Sequence, residues 1–222
     1  MRNKILSILK LENMTYVSQF HYIMLLVGTI TMVITYRFSD SSTLSVVSGF
    51  FGLFSVLLCS DKKVAFYLFG FAQLMTYVIL CLEQRLYGEV AENIFYFVTM
   101  IYGLYHWIKY YNYDEAKVET RRMSSIQNQV VGILTIAGTV VLYYILKYTD
   151  DTQPFMDSIT TIPAFIAQIL MILRYRESWL YWFIIDVGSI VMWAVAGDWC
   201  MVAQFVFWTI NCIYGFINWS KI

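Results

Sequence analysis

Three residues in the C-terminal half have the types and spacing of a binding site for an aromatic cation. Trp179, Trp182 and Asp186 are three and four positions apart, so on a helix that turns 100° per residue they share one face. Indole rings stack on a flat ring, and a carboxylate balances its positive charge. Two other interpretations stay open: Trp179 can belong to an aromatic belt at a membrane surface, and Asp186 can tie two helices together.

The position of Asp186 favours a functional role. It lies about seven residues, or ~10 Å, inside an apolar segment. An ionisable group at such a depth costs ~2.5 to 3.5 kcal/mol and usually faces a cavity or a transport pathway. No other acidic residue falls well inside a predicted span, so we expect Asp186 to be the only buried carboxylate.

Uncharged amides at membrane depth can complete the site. They are Gln73, Asn93, Gln168, Gln204 and Asn211. Such groups can hydrogen-bond a ribose or a carboxamide, or they can join helices. The predicted substrate-binding residues are Trp179, Trp182, Asp186, Gln73, Asn93, Asn211 and Gln204.

The sequence argues against an enzyme, a metal centre or a cofactor. It has no GxSxG, HExxH or phosphate-binding glycine motif, and a catalytic site would need a second reactive group at depth. His21 and His106 have no Cys or carboxylate at ligand spacing. The four cysteines fall in apolar runs without a CxxC pair, which is typical of small core residues.

Composition places the chain in a membrane. Of its 222 residues, 59% are hydrophobic and 14% are charged, and the mean hydropathy is +0.61, which leaves too little polar surface for a soluble globule. The formal charge of +0 also excludes a nucleic-acid partner, because phosphate binding needs a concentrated basic face.

Eight apolar runs have about the length that a membrane-spanning helix needs. They cover residues 20–36, 44–59, 64–82, 90–108, 129–147, 157–173, 179–196 and 200–219. If the N-terminus is cytoplasmic, twelve of the fifteen Lys and Arg lie on the cytoplasmic side, as membrane proteins prefer. Both termini are therefore predicted to be cytoplasmic, in the inner membrane.

The chain also repeats itself at an offset of 112 residues. The motif Ile101-Tyr102-Gly103 with Trp107 recurs as Ile213-Tyr214-Gly215 with Trp219. Parallel halves of this kind often enclose a transport site between them. The predicted organisation is an amphipathic segment at 1–19, a first membrane half at 20–110, a cytoplasmic loop at 111–128 and a second half at 129–222.

Three motifs resemble the PnuC family of nicotinamide riboside transporters. They are Phe155-Met156-Asp157-Ser158, the stretch from Glu177 to Val187, and the repeated Ile-Tyr-Gly-x-x-x-Trp. The resemblance implies an all-α, SWEET-like fold with two three-helix bundles, a linker helix at the fifth span and an additional N-terminal helix. It also implies a homotrimer that moves its substrate by facilitated diffusion, after which a cytoplasmic kinase traps the substrate by phosphorylation.

One position departs from the family pattern and leaves the substrate open. The family motif Trp-x-x-Trp-x-x-x-Asn is matched by Trp179 and Trp182 but ends here in Asp186. A carboxylate suits a cationic ring, so nicotinamide riboside is the expected substrate. The alternatives are a related transporter for thiamine or a (deoxy)nucleoside, and a membrane scaffold or sensor that transports nothing.

Overall fold

Long helices dominate the chain, as its apolar runs predict. The computed structural model describes residues 2–13, 18–38, 42–83, 87–149 and 154–221. The elements are α1 (Arg2–Asn13), α2 (Gln19–Phe38), α3 (Thr43–Ser60), α4 (Phe66–Glu83), α5 (Tyr87–Lys109), β1 (Tyr111–Asn112), β2 (Lys117–Val118), α6 (Ser125–Lys147), α7 (Pro154–Ile172), α8 (Ser178–Ala196) and α9 (Trp199–Trp219). The helices α2 to α9 correspond one by one to the eight predicted spans.

Six of these helices are long and apolar enough to cross a membrane, judged over the described residues: α2, α3, α4, α6, α8 and α9. The helices α5 and α7 fall outside that group. Helix α5 carries Glu89 and Glu92, and α7 begins with the polar pair Asp157 and Ser158. Both helices pack between apolar ones. The prediction of an all-α, multi-pass membrane fold is confirmed. That α5 and α7 cross the membrane stays a prediction.

Six helices form a closed ring. Helix α3 packs on α4, α4 on α5, α5 on α7, α7 on α8, α8 on α9, and α9 on α3. Outside the ring, α2 packs on α3 and α9, and α6 packs on α7. A helix ring of this kind can keep polar side chains of its interior away from lipid, because the helices themselves stand between the interior and the bilayer.

The offset of 112 residues recurs in the helix bounds. It carries α3 onto residues 155–172, where α7 lies, and α4 onto residues 178–195, where α8 lies. It also carries α5 onto α9, so each half supplies three consecutive helices of the ring. The likeness to SWEET transporters and the linker role of α6 stay predictions.

One predicted boundary differs from the structure. The loop predicted at 111–128 contains the short hairpin of β1 and β2 and ends earlier, because α6 begins at Ser125. Ser124 and Gln127 form a capping box, in which each side chain bonds the other residue's main-chain N–H, and this motif starts the helix. At the N-terminus, Ile8 of α1 is buried in the core cluster that contains Trp107 and Trp219, so α1 packs against the protein.

Candidate substrate-binding cavity

The ring encloses a cavity between its two halves. The space in it that water-sized groups can occupy has a volume of about 150 Å³. We call its two ends the Trp107 end, near residues 61–65, 110–124 and 173–177, and the Glu89 end, near the starts of α5 and α9. The polar groups on its wall belong to Ser55, Gln73, Tyr77, Glu89, Glu92, Asn93, Tyr96, Gln168, Trp179, Trp182, Asp186, Ser189 and Trp208.

Helix α8 brings its two tryptophans and its aspartate to this cavity. Trp179, Trp182 and Asp186 all line it, as their shared helix face predicts. Trp179 is only 1% exposed and packs edge-on against Trp219, with ring centroids 5.5 Å apart. Burial against α9 excludes the interpretation of Trp179 as part of a lipid-facing belt.

Asp186 is an acidic group in apolar surroundings. It is 2% exposed, and the Cys212 thiol donates a hydrogen bond to its Oδ2 at 3.3 Å. The ion pairs found among the described residues all lie elsewhere, at His21–Asp61, Lys117–Glu115 and Arg176–Glu177. A buried carboxylate without a cationic neighbour is costly, and a bound cation would remove that cost.

Several polar atoms on the cavity wall have no hydrogen-bond partner among the described residues. They are the indole nitrogens of Trp179, Trp182 and Trp208 and the amide oxygen of Asn93. Buried polar groups are normally paired, so unpaired ones that line a cavity indicate a ligand. The unpaired atoms are three N–H donors and one amide acceptor, and they line the same wall as the Asp186 carboxylate, which is a suitable set for a polar aromatic molecule.

The predicted amides divide into two groups. Gln73 and Asn93 line the cavity, and Asn93 donates to the main-chain oxygen of Glu89 at 2.7 Å. The cavity wall does not include Gln204 or Asn211 among its described residues. Asn211 accepts from Ser60 at 3.0 Å and donates to the carbonyl of Val56 at 3.1 Å, so it joins α9 to α3.

Gln204 is fully buried behind the wall. A methyl group added to Gly52 would lie 3.1 Å from its amide oxygen, which shows how closely α9 approaches α3 here. Neither atom of the Gln204 amide has a partner among the described residues. Its position is therefore that of an interhelical group beside the cavity.

The expectation of a single buried carboxylate is wrong. Glu89 and Glu92 of α5 line the cavity as well, and Glu92 is 4% exposed. The predicted fourth span began at residue 90, which placed Glu89 outside it and Glu92 at its edge, whereas α5 begins at Tyr87. The signal was their spacing, because Glu89, Glu92, Asn93 and Tyr96 follow the helical pattern of one face.

Metal-binding geometry is lacking in the part of the chain that the structure describes. There, no three His, Cys, Asp or Glu side chains come close enough to hold an ion. Cys59, Cys81, Cys200 and Cys212 are buried thiols that form no disulfide bond.

A largely apolar cavity with several polar groups, placed between two repeated halves of a membrane-embedded helix ring, is typical of the class of helical solute transporters. Residues 42–221 match the family model described as nicotinamide mononucleotide transporter. The chain belongs to this family, which is one of transporters and not of enzymes.

Curated relatives and a solved structure agree with this assignment. The chain is 29% identical over 200 residues to the nicotinamide riboside transporter PnuC of Neisseria mucosa, covering 85% of this chain and 76% of that protein. It is 28% identical over 217 residues to PnuC of Haemophilus influenzae, covering 96% and 95%. A crystal structure of the vitamin B3 transporter PnuC superposes with a TM-score of 0.86 at 27% identity, covering 97% of each chain.

Proposed function

We propose that this protein carries nicotinamide riboside across the cytoplasmic membrane. The observation that supports it most is that unpartnered indole N–H groups and the Asp186 carboxylate line the same buried cavity. A pyridinium ring that stacks on Trp182 would gain a counter-charge from Asp186. Gln73 and Asn93 would take up hydrogen bonds from the ribose or the carboxamide.

Asn211 and Gln204, the two predicted amides outside the cavity wall, would support the wall and would not contact the substrate. Asn211 holds α9 against α3, and Gln204 lies in the same interface. Both residues would help to fix the position of α9. This helix carries Trp208, one turn after Gln204, on the cavity wall. Their substitution should weaken stability before it changes substrate preference.

The manner of transport follows from the family resemblance. The protein would act as a homotrimer in the inner membrane, with both termini in the cytoplasm, and would move substrate by facilitated diffusion. Phosphorylation inside the cell would trap the transported substrate. The excess of Lys and Arg at the Trp107 end supports this orientation.

A ligand panel tests the substrate. Purified protein is titrated with nicotinamide riboside, thiamine, riboflavin, uridine and deoxyadenosine while melting temperature and Trp fluorescence are followed. Ligand at ~100 times Kd should add about 2.7 kcal/mol of stability. A response to thiamine alone would agree with a transporter but reject nicotinamide riboside as its substrate. If none of the five ligands changes either signal, a scaffold or sensor is favoured.

Uptake into proteoliposomes tests the role of Asp186. We expect Asp186→Ala to abolish uptake of nicotinamide riboside while the melting temperature stays near that of the wild type. The matched variant is Asp186→Asn, which keeps the shape and removes the charge. Normal uptake by both variants would reject the role given to the carboxylate.

A further inference from the structure

The glutamates of α5 form a second acidic position in the cavity, separate from Asp186. Glu89 Oε2 accepts a hydrogen bond from the Tyr77 hydroxyl of α4 at 3.1 Å. Glu92 Oε2 accepts one from the Tyr96 hydroxyl at 3.1 Å, and Thr161 of α7 also bonds this carboxyl group. Because partners from two neighbouring helices hold them, both carboxyl groups have fixed positions.

The surroundings of this pair carry negative and phenolic groups. The groups that face it are Tyr77 and Cys81 of α4, Tyr96 of α5, and Asp157 and Thr161 of α7. The ion pairs of the described residues involve neither glutamate. Glu92 is buried and Glu89 is half-buried, and two neighbouring carboxyl groups in these surroundings favour a ligand that brings positive charge.

Asn93 supplies an independent indication of a ligand at the same place. It is 3% exposed and follows Glu92 directly on the cavity face. Its Oδ1 has no hydrogen-bond partner among the described residues, although its amide nitrogen is bonded. Within little more than one helical turn the wall therefore presents two carboxyl groups and a free amide acceptor.

Tyr96 connects this acceptor set to the residues of α8. Its hydroxyl bonds Glu92, and its ring packs edge-on against Trp182 with centroids 5.8 Å apart. Glu92 lies near the start of α5, whereas Asp186 lies near the middle of α8. The two carboxyl groups thus belong to different helices of one cavity wall, with Tyr96 in contact with Glu92 and with Trp182.

We propose that Glu89, Glu92 and the amide oxygen of Asn93 form a second binding position for an organic monocation, at the Glu89 end of the cavity. A cationic solute would occupy it before or after its contact with Trp182 and Asp186. The inference deepens the proposed function and depends on it only for the identity of the solute. It predicts that preference for cations over neutral molecules of the same shape depends on Glu92.

The test uses two probes of nearly equal shape that differ in charge. Binding of 1-methylnicotinamide, a pyridinium cation, and of neutral nicotinamide is measured by calorimetry on the full-length protein. We expect Glu92→Gln to weaken binding of the cation about tenfold and to change binding of the neutral probe by less than about twofold. Glu89→Gln is the second variant, and it should also weaken binding of the cation.

The matched control is Glu83→Gln. Glu83 ends α4 at the same end of the molecule and is exposed outside the cavity, so this variant makes the same change of charge and should bind both probes as the wild type does. Equal weakening of both probes by Glu92→Gln would indicate a packing role and overturn the proposal. No change in either glutamate variant, or no binding of 1-methylnicotinamide to the wild type, would also overturn it.

Failure of the proposed function gives a different result. If the wild type takes up no nicotinamide riboside but Glu92→Gln still weakens binding of 1-methylnicotinamide, the substrate is rejected and the cation position is kept. If the wild type takes up nicotinamide riboside and Glu92→Gln changes neither uptake nor cation binding, the substrate assignment is kept and the cation position is rejected.

Discussion

Trp107 donates its indole N–H to the main-chain carbonyl of Met171 at 3.2 Å, from the last helix of one half to the first helix of the other. The same bond occurs 112 residues later, where Trp219 donates to the carbonyl of Cys59, also at 3.2 Å. The Cys59 and Met171 sulfur atoms lie 3.3 Å apart between the two bonds. The halves are thus joined at the Trp107 end by a reciprocal pair of contacts.

Other contacts repeat with the same offset. Gly103 faces Tyr67, and Gly215 faces Trp179, which is the counterpart of Tyr67. In the loops that follow α3 and α7, Lys62 and its counterpart Arg174 both have positive φ, at 63° and 68°. The two halves therefore share helix caps and close approaches as well as a short motif.

The reciprocal tryptophan bonds predict equal effects from equivalent substitutions. Trp107→Phe and Trp219→Phe each remove one indole donor, while the carbonyls of Met171 and Cys59 keep their main-chain donors, Arg174 N–H and Lys62 N–H. The lost hydrogen bond should cost about 0.5 to 1.5 kcal/mol in each variant. We expect both variants to lower the melting temperature by similar amounts. Thermal unfolding in one detergent measures them side by side.

The control for this pair is Trp199→Phe. Trp199 lies at the opposite end of α9 and is 51% exposed, so its replacement should change stability little. A large loss in only one of the two buried variants would contradict the equivalence of the halves at this end.

Gly215 is predicted to set the position of Trp179. A methyl group at Gly215 would lie 2.5 Å from the Trp179 ring, so Gly215→Ala must displace an indole that lines the cavity. We expect a loss of about 1 to 3 kcal/mol from overpacking together with weaker ligand quenching of Trp fluorescence. Both are measured on the same purified sample.

Gly132→Ala provides the comparison. No described atom lies within 4 Å of a methyl group at Gly132 on α6, so alanine should be neutral or stabilise the helix by about 0.5 to 1 kcal/mol. If Gly215→Ala behaved like Gly132→Ala, the close approach of α9 to Trp179 would not constrain the ring.

Residue spacing within one helix was enough to predict part of the site. Trp179, Trp182 and Asp186 share a face by the geometry of a single helix, and they line one cavity. Asn93 and Asn211 are alike in the sequence, yet one lines the cavity and the other joins two helices. That difference depends on how each helix is rotated in the ring, which is set by packing partners far away in the sequence.

Helix ends limited the prediction in a second way. Hydrophobicity marks where a segment becomes apolar, but α5 continues through Glu92 and Glu89 to Tyr87 because these carboxyl groups are held by Tyr96 and Tyr77. Polar residues inside a protein cavity lengthen a helix beyond its apolar run. The repeat of 112 residues, in contrast, was legible in the sequence because equivalent packing selects equivalent residues.

Lys62 predicts a pH dependence of stability. It lies in the loop after α3, where burial lowers its pKa to about 8 from an ordinary value of 10.5. Between these values the unfolded chain binds more protons than the folded one, so the free energy of unfolding should rise with pH. We expect a gain of about 1 to 2 kcal/mol from pH 7.5 to 9.5 after allowance for partial solvent screening.

Variants separate this gain from the titration of other groups. Lys62→Met should lose the gain, whereas Lys10→Met, which removes an exposed lysine of α1, should retain it. Melting temperatures are compared at the two pH values in the same detergent. An identical pH profile for the wild type and Lys62→Met would contradict the assignment.

Glu12 is predicted to attach α1 to the start of α4. Its carboxylate accepts hydrogen bonds from the main-chain nitrogens of Val64 at 2.7 Å and Ala65 at 2.9 Å, just before α4 begins. Burial nevertheless raises the pKa of Glu12, so the favourable part of the contact is the hydrogen bonding and not the charge. Glu12→Ala should cost about 0.5 to 2 kcal/mol, as loss of a helix cap does.

Glu12→Gln distinguishes hydrogen bonding from charge. Glutamine keeps a carbonyl acceptor and removes the ionised group, so it should be less destabilising than alanine at pH 7. A raised pKa in the folded state also means that the wild type gains stability as the pH falls toward 4.5, the ordinary value for glutamate, and Glu12→Gln should lose that gain. Hydrogen exchange at Val64 and Ala65 reports the contact directly. Equal exchange in the wild type and Glu12→Ala would show that α4 begins without help from α1.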